Sequence, residues 1–308
     1  MTTLITGGCG FIGRHLTAAL LGAGEQVIVL DDLSTGDRSA LPKGAELVVG
    51  DITTPDIFDA LVAKVDRVFH LAAIASVERS RTDWHCAHTV NIGGTVNLFH
   101  TIAKSGRKLP VVYASSAAVY GDSDALPLAE TTPVKPLSAY GADKYACEVH
   151  GRIAADLHGI PNAAMRFFNV YGPGQDPKSP YSGVISIFMA KARKGEPMTI
   201  FGDGSQSRDF VFVKDVVSAL RAAMDSLQQD NAQHDVFNVG TGKAITIREL
   251  AEQVIALGGN RSQLLFGPSR EGEILHSYCD NRHAQQKLAF LPATPLAEGL
   301  RITYEAIS

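Results

Sequence analysis

The sequence predicts an α/β chain: a doubly wound parallel sheet followed by a smaller, less regular α+β region. Three observations carry this reading. Six short apolar runs alternate with helical patterns, a glycine turn joins the first run to the first helix, and the character of the chain changes after residue 169.

The apolar runs are "TLIT" (3–6), "VIVL" (27–30), "ELVVG" (46–50), "RVFHLAA" (67–73), "PVVYASS" (110–116) and "AAMRFFN" (163–169). Segments 11–23, 91–105 and 141–158 carry apolar residues at three- and four-residue spacing, which suits the crossover helices of a parallel sheet. After residue 169 comes a Gly/Pro/Ser loop, "YGPGQDPKSPYSG", then a helix near 184–194 and the short strands and turns of "MTIFGDGSQSRDFVFV". The polar stretch 225–235 reads as a surface connection to a strand near 235–239 that returns to the main sheet. The expected division is therefore 1–168 plus that returning strand, and 169–308. There is no internal repeat.

The 308 residues are 45% hydrophobic and 19% charged, with a formal net charge of -4. Such a balance fits an ordinary globular enzyme and gives no electrostatic reason to expect nucleic acid or an anionic membrane as partner. Cys9, Cys86, Cys147 and Cys279 form no CxxC pair, so free thiols and a cytoplasmic location are expected. The apolar N-terminus lacks a basic leader and is broken by glycines and Arg14, so a secretory signal is not expected. No run reaches the roughly 18 apolar residues of a membrane span.

Gly7, Gly10 and Gly13 stand at GxxGxxG spacing between a strand and a helix. Glycines let the backbone turn tightly and approach a pyrophosphate, and the helix N-terminus offers it unpaired N–H groups and partial positive charge. Asp31 and Asp32 end the second strand, 18 residues after Gly13, where a carboxylate can accept both hydroxyls of an adenosine ribose. An acid there would repel a 2'-phosphate. The pattern predicts NAD bound on a Rossmann-like sheet.

"TGGCGFIG", "HLAA", "SSAAVYG", "YGADK" and "RFFNVYGPGQDP", in this order, resemble the extended short-chain dehydrogenase/reductase family, and within it the UDP-hexose and UDP-N-acetylhexosamine 4-epimerases. The likeness runs nearly end to end. It implies Tyr140 as catalytic base, with Lys144 beside it and Ser116 as the hydroxyl that holds the reacting 4-oxygen. A free phenol titrates near 10, so a neighbouring ammonium and a positive nicotinamide ring are needed to favour its ionised form. Tyr140 and Lys144 are four apart, on one helix face.

The resemblance also implies a fuller NAD site. Phe11 and Ile12 join the glycine turn, Ser34, Thr35 and Gly36 follow the acidic pair, and Asp51 and Ile52 follow the third strand. Leu71, Ala72 and Ala73 form a cofactor wall to which His70 belongs, with Asn91, Ser115, Phe167, Tyr140 and Lys144 toward the nicotinamide. Sister dehydratases and decarboxylases carry acidic residues where Ala117 and Ala118 stand here, which leaves oxidation and re-reduction at C4 as the chemistry available.

For the substrate, the resemblance implies Asn169, Arg208 and Arg270 on the diphosphate, Thr199 and Phe201 against uracil, and Ser76, Ser116, Val184 and Glu273 elsewhere in the pocket. Ser277 occupies a position that some members fill with tyrosine against the hexose. The smaller side chain leaves space for a 2-acetamido group, so UDP-GlcNAc and UDP-GalNAc are the expected pair, with UDP-glucose and UDP-galactose alongside. Two other readings stay open: a UDP-glucuronate 4-epimerase and a nucleotide-sensing protein with a dead site. His85 and His88 have no third ligand beside them and read as surface histidines, so no metal is expected. The resemblance implies a homodimer paired through helices 91–105 and 141–158.

Overall fold

In the computed structural model, residues 1–176, 183–229, 233–269 and 274–307 are described. The first half runs β1 (Thr2–Thr6), α1 (Phe11–Gly22), β2 (Gln26–Asp31), β3 (Glu46–Val49), α2 (Asp59–Val62), β4 (Arg67–His70), α3 (Val77–Thr82), α4 (Trp84–His88), α5 (Gly94–Ser105), β5 (Val111–Ser116), α6 (Ala139–His158) and β6 (Asn162–Phe167). The second adds β7 (Asn169–Tyr171), α7 (Val184–Lys194), β8 (Met198–Phe201), β9 (Ser207–Arg208), β10 (Phe210–Phe212), α8 (Val213–Leu227), β11 (His234–Val239), β12 (Ile245–Thr246), α9 (Ile247–Leu257), β13 (Leu264–Gly267), β14 (His276–Ser277), α10 (Arg282–Leu288) and α11 (Leu296–Glu305).

Seven strands form the central sheet in the order β11-β6-β5-β4-β1-β2-β3, and all six neighbouring pairs are parallel. The doubly wound reading is borne out. Strand order reverses between β1 and β4, and it is outside the C-terminal ends of such strands that open α/β sheets bind ligands.

Side chains alternate across the sheet, so adjacent residues serve opposite layers. Ile5, Val29, Phe69 and Val112 pack with α1 and α8 on one face, while Leu4, Leu30, Val68 and Val111 pack with α2, α5 and α6 on the other. A third cluster, with Phe188, Ile200, Phe212 and Leu250, holds the small sheets of the second half.

Four local departures from the sequence reading have physical causes. The fourth strand stops at His70, leaving Leu71–Ala73 as loop at the sheet edge. The run 163–169 is two strands, because Phe168 turns into a separate cluster with Val119, Tyr120 and Leu128. The stretch 225–235 is not all connection: α8 continues to Leu227, since buried Ala223, Met224 and Leu227 extend its apolar stripe. Helix 91–105 begins in a wide π turn, Thr89–Gly93, before α5 proper.

Candidate active site

The glycine turn is built by close approach. Gly7 has φ +71, and a Cβ on it would stand 2.7 Å from Ala72 N, against the Leu71–Ala73 loop. A Cβ on Gly13 would collide with Gly7 O. Gly10 precedes α1 with no side-chain cap, so the first N–H groups of the helix, at Phe11, Ile12 and Gly13, have no intrahelical acceptor. Such a cradle fits a pyrophosphate.

At the end of β2, Asp31 is 6% exposed and accepts from Cys9 N at 2.9 Å and Leu33 N at 2.9 Å. Burial raises its carboxyl above the ordinary range, opposed by those two N–H groups. Gly36 lies against it, since a Cβ there would be 2.8 Å from Asp31 Oδ1. Asp32, Ser34 and Thr35 are exposed, with Ser34 N donating to Asp32 Oδ1 at 2.9 Å. An acid anchored to the turn beside an exposed acid suits a ribose diol. The donor set at this end therefore fits a dinucleotide. Asp51 is exposed and accepts from Thr53, while Ile52 is buried against Gly94.

Between β4 and α5, His70 is fully enclosed. Its Nδ1 lies 2.8 Å from Thr6 Oγ1 and its Nε2 3.2 Å from Thr95 Oγ1. Burial, aided by the charge of Lys144, pushes its pKa down to about 3, so the ring is neutral. Thr6 Oγ1 accepts from Ala72 N at 3.2 Å, which ties this ring to the Leu71–Ala73 loop. Asn91, in the π turn, clasps Ile74 through both its amide atoms.

Ser138 caps α6 by accepting from Gly141 N at 3.1 Å, and so sets where Tyr140 emerges. Tyr140 N donates to Ser80 Oγ at 3.2 Å, and Ser76 caps α3 just before it. Gly141 lets α6 press on the turn that follows β5: a Cβ there would stand 2.5 Å from Ala118 O. Ser116 ends β5 and begins that turn, its Oγ accepting from Ala118 N at 3.2 Å. Tyr140 and Ser116 thus leave two elements in direct contact. Lys144, 5% exposed, donates to Ala114 O at 3.0 Å, its Nζ 5.9 Å from the centroid of the Tyr140 ring.

Ser115 points the other way. Its Oγ donates to Glu148 Oε1 at 2.6 Å, and Glu148 forms a buried two-pronged pair with Arg166, at 2.8 and 2.7 Å. Arg166 Nη1 continues to Tyr120 Oη at 2.9 Å, which donates to Asn238 Oδ1 at 2.7 Å. Glu148 lies one helical turn after Lys144 on α6, while its partners Ser115 and Arg166 come from strands distant along the chain. Phe167 ends β6 beside it, 9% exposed.

In the second half, Asn169 is exposed at the start of β7. β9 pairs with β14, setting Arg208 opposite Ser277. Arg208 Nη1 donates to Ser207 O at 2.8 Å and Leu275 O at 3.2 Å. Thr199 and Phe201 alternate with buried Met198 and Ile200 on β8, so both half-buried side chains share one face; Val184 opens α7. Arg270 and Glu273 lie outside the described residues. His88 Nδ1 lies 3.2 Å from Asp143 Oδ1, and among the described residues no group of three His, Cys, Asp or Glu could hold a metal ion. Among them, too, no helix is long and apolar enough to cross a membrane.

Residues 3–240 match the model of the NAD dependent epimerase/dehydratase family. The chain is 39% identical over 311 residues to a UDP-glucose 4-epimerase of Mycolicibacterium smegmatis, covering 99% of this chain and 98% of that one. A crystal structure of a UDP-glucose 4-epimerase from Thermotoga maritima with UDP-glucose superimposes with a TM-score of 0.94, at 35% identity over 99% of this chain and 98% of that one. A UDP-N-acetylglucosamine 4-epimerase from Methanobrevibacter ruminantium, in complex with UDP-N-acetylmuramic acid, does so with a TM-score of 0.92, at 33% identity over 99% and 97%.

Proposed function

The chain belongs to the NAD-dependent epimerase/dehydratase family of enzymes, and we propose that it is a UDP-sugar 4-epimerase acting through a 4-keto sugar, with UDP-GlcNAc and UDP-GalNAc as its main pair and UDP-glucose and UDP-galactose also accepted. One observation carries the reading. The capped start of α6, with Tyr140 in its first turn and Lys144 in its second, is pressed against the turn that begins at Ser116, at the sheet end where the glycine cradle also lies.

The glycine turn, the Asp31–Gly36 segment and the Leu71–Ala73 wall would hold NAD, which would supply the hydride-transfer chemistry needed at sugar C4. Tyr140 Oη takes the proton of the 4-hydroxyl, while the Lys144 ammonium keeps positive charge beside the ring where negative charge develops. Ser116 Oγ hydrogen-bonds the 4-oxygen and shares its proton with Tyr140. Ala117 and Ala118 offer no further acid or base, so elimination of water has no catalyst there. Arg208, Arg270 and Asn169 take the diphosphate, Thr199 and Phe201 the uracil, and Ser277 leaves space at C2 for an acetamido group.

The proposed homodimer would pair across α5 and α6. A cleft of about 390 Å³ between them is lined by Val96, Phe99 and Ile153, and Leu157 is exposed nearby.

The test is incubation of purified protein with UDP-GlcNAc, UDP-glucose and UDP-glucuronate separately, without added NAD, followed by NMR. Conversion of UDP-GlcNAc to UDP-GalNAc is expected; turnover of UDP-glucose with none of UDP-GlcNAc would remove the specificity, and no turnover of any of the three would remove the activity.

A further inference from the structure

We propose that Asp209 is the positioning residue of the UDP-binding half, a buried carboxylate that sets Arg208, Asn169 and Ser277 relative to one another. This rests on the reading that those three residues face the UDP-sugar.

Asp209 is 0% exposed and draws three separate segments together. Oδ1 accepts from Thr241 N at 2.8 Å and Thr241 Oγ1 at 2.6 Å. Oδ2 accepts from Gly242 N at 2.8 Å, Cys279 N at 3.3 Å and Cys279 Sγ at 3.2 Å. Its main chain reaches the site residues themselves: Asp209 N donates to Ser277 O at 3.0 Å, and Asn169 N donates to Asp209 O at 2.9 Å.

Space is reserved for this arrangement. A Cβ on Gly240 would fall 2.6 Å from Cys279 Sγ and 2.7 Å from Asp209 Oδ2, so the chain leaving β11 can pass only as glycine. Burying a carboxylate is costly unless donors replace water, and donors that converge from several segments hold those segments in place as they do so. Arg208 adjoins Asp209 in sequence and stands opposite Ser277 in the β9–β14 register. A shift of the carboxylate's donors therefore moves the guanidinium and Ser277 against Asn169. The frame also links the end of the large sheet, through residues 240–242, to the substrate half.

An amide cannot replace the acid. Whichever way Asp209→Asn is turned, its NH2 meets the Thr241 donors or the Gly242 and Cys279 donors, and one side loses its acceptor. By isothermal calorimetry with UDP alone, Asp209→Asn is expected to weaken binding by about tenfold or more. KM for the UDP-sugar should rise by more than kcat falls, and NAD should stay at the wild-type ratio per subunit, because the glycine turn and α6 are untouched. Thr241→Val removes the 2.6 Å hydroxyl donor to Asp209, together with the acceptor of Lys243 N at 3.3 Å on the exposed side of the turn, and should weaken UDP by about threefold.

A folded, NAD-loaded Asp209→Asn that binds UDP within about twofold of wild type would overturn the inference. So would loss of NAD in step with UDP, or a fall in kcat with KM unchanged. Should Asp209→Asn fail to fold, Thr241→Val decides, and unaltered UDP affinity in that variant refutes the role. Wild-type protein that binds no UDP would instead sink the reading of the site, and this inference with it.

Discussion

Gly7, Gly10 and Gly13 reach the dinucleotide site on one unbroken strand, turn and helix, whereas Arg208 and Ser277 meet only because β9 pairs with β14. The first construction is local in its residues: a few consecutive positions make the cradle, and its fit against the Leu71–Ala73 loop depends on missing side chains. In the second, two-residue strands are held by a buried acid and its donors from other segments. The contrast teaches where each half is vulnerable. A defect in the cradle acts through sterics at one place, while a defect in the second half acts through register and reaches several contacts together.

Variants can break or sharpen that contrast. The largest effect is expected at the first turn of α6: Tyr140→Phe should lower turnover by about 10²–10⁴-fold and leave the dinucleotide bound, as read by NMR of products and by absorbance of the protein. Full activity in that variant would deny Tyr140 its role.

Next comes the frame behind β5. Glu148→Gln leaves the Arg166 charge buried with its partner neutralised, since both side chains are 4% exposed. A loss of about 3 kcal/mol in urea unfolding is expected, and less than about 1 kcal/mol would show that the pair does not hold β5, β6 and α6 together.

In the second half, on the proposed reading of the site, Ser277→Tyr should depress kcat/KM for UDP-GlcNAc relative to UDP-glucose by about tenfold or more, without loss of bound NAD. Equal effects on both sugars would place the ring away from C2.

The smallest effect concerns pH. His70 has its folded pKa lowered to about 3 from 6.5 by burial and by Lys144. Between those values the unfolded chain binds a proton that the folded chain does not, so stability is full above the upper value and falls as pH drops toward the lower one. His70→Asn should flatten the difference between urea midpoints at about pH 7.5 and about pH 5; an identical slope in both proteins would place the acid sensitivity elsewhere.

Particular residues mark how far the sequence could be read. The first strand, turn and helix were legible because hydrophobic period and glycine spacing are local signals, and Tyr140 with Lys144 because four residues make one helical turn. For the two serines of "YASS" the family resemblance implied Ser116 at the 4-oxygen and Ser115 toward the nicotinamide, but not the direction in which each side chain leaves the strand. The pleat of β5 separates them, sending Ser115 to Glu148 and Ser116 to the Ala117–Val119 turn. Nothing along the chain sets Asp209 apart beside Arg208, since no local pattern foretells donors at Thr241, Gly242 and Cys279.

By itself, then, the amino-acid order determined the alternation of strands and helices, the glycine spacing of the cradle and the spacing of phenol and ammonium, because each is written in residues a few positions apart along the chain. Tertiary structure alone decided that β9 lies beside β14, that Glu148 meets Arg166, and that Asp209 gathers its donors. Those pairings join segments distant along the chain, and they hold because burial makes an unpartnered charge or N–H too costly to leave alone.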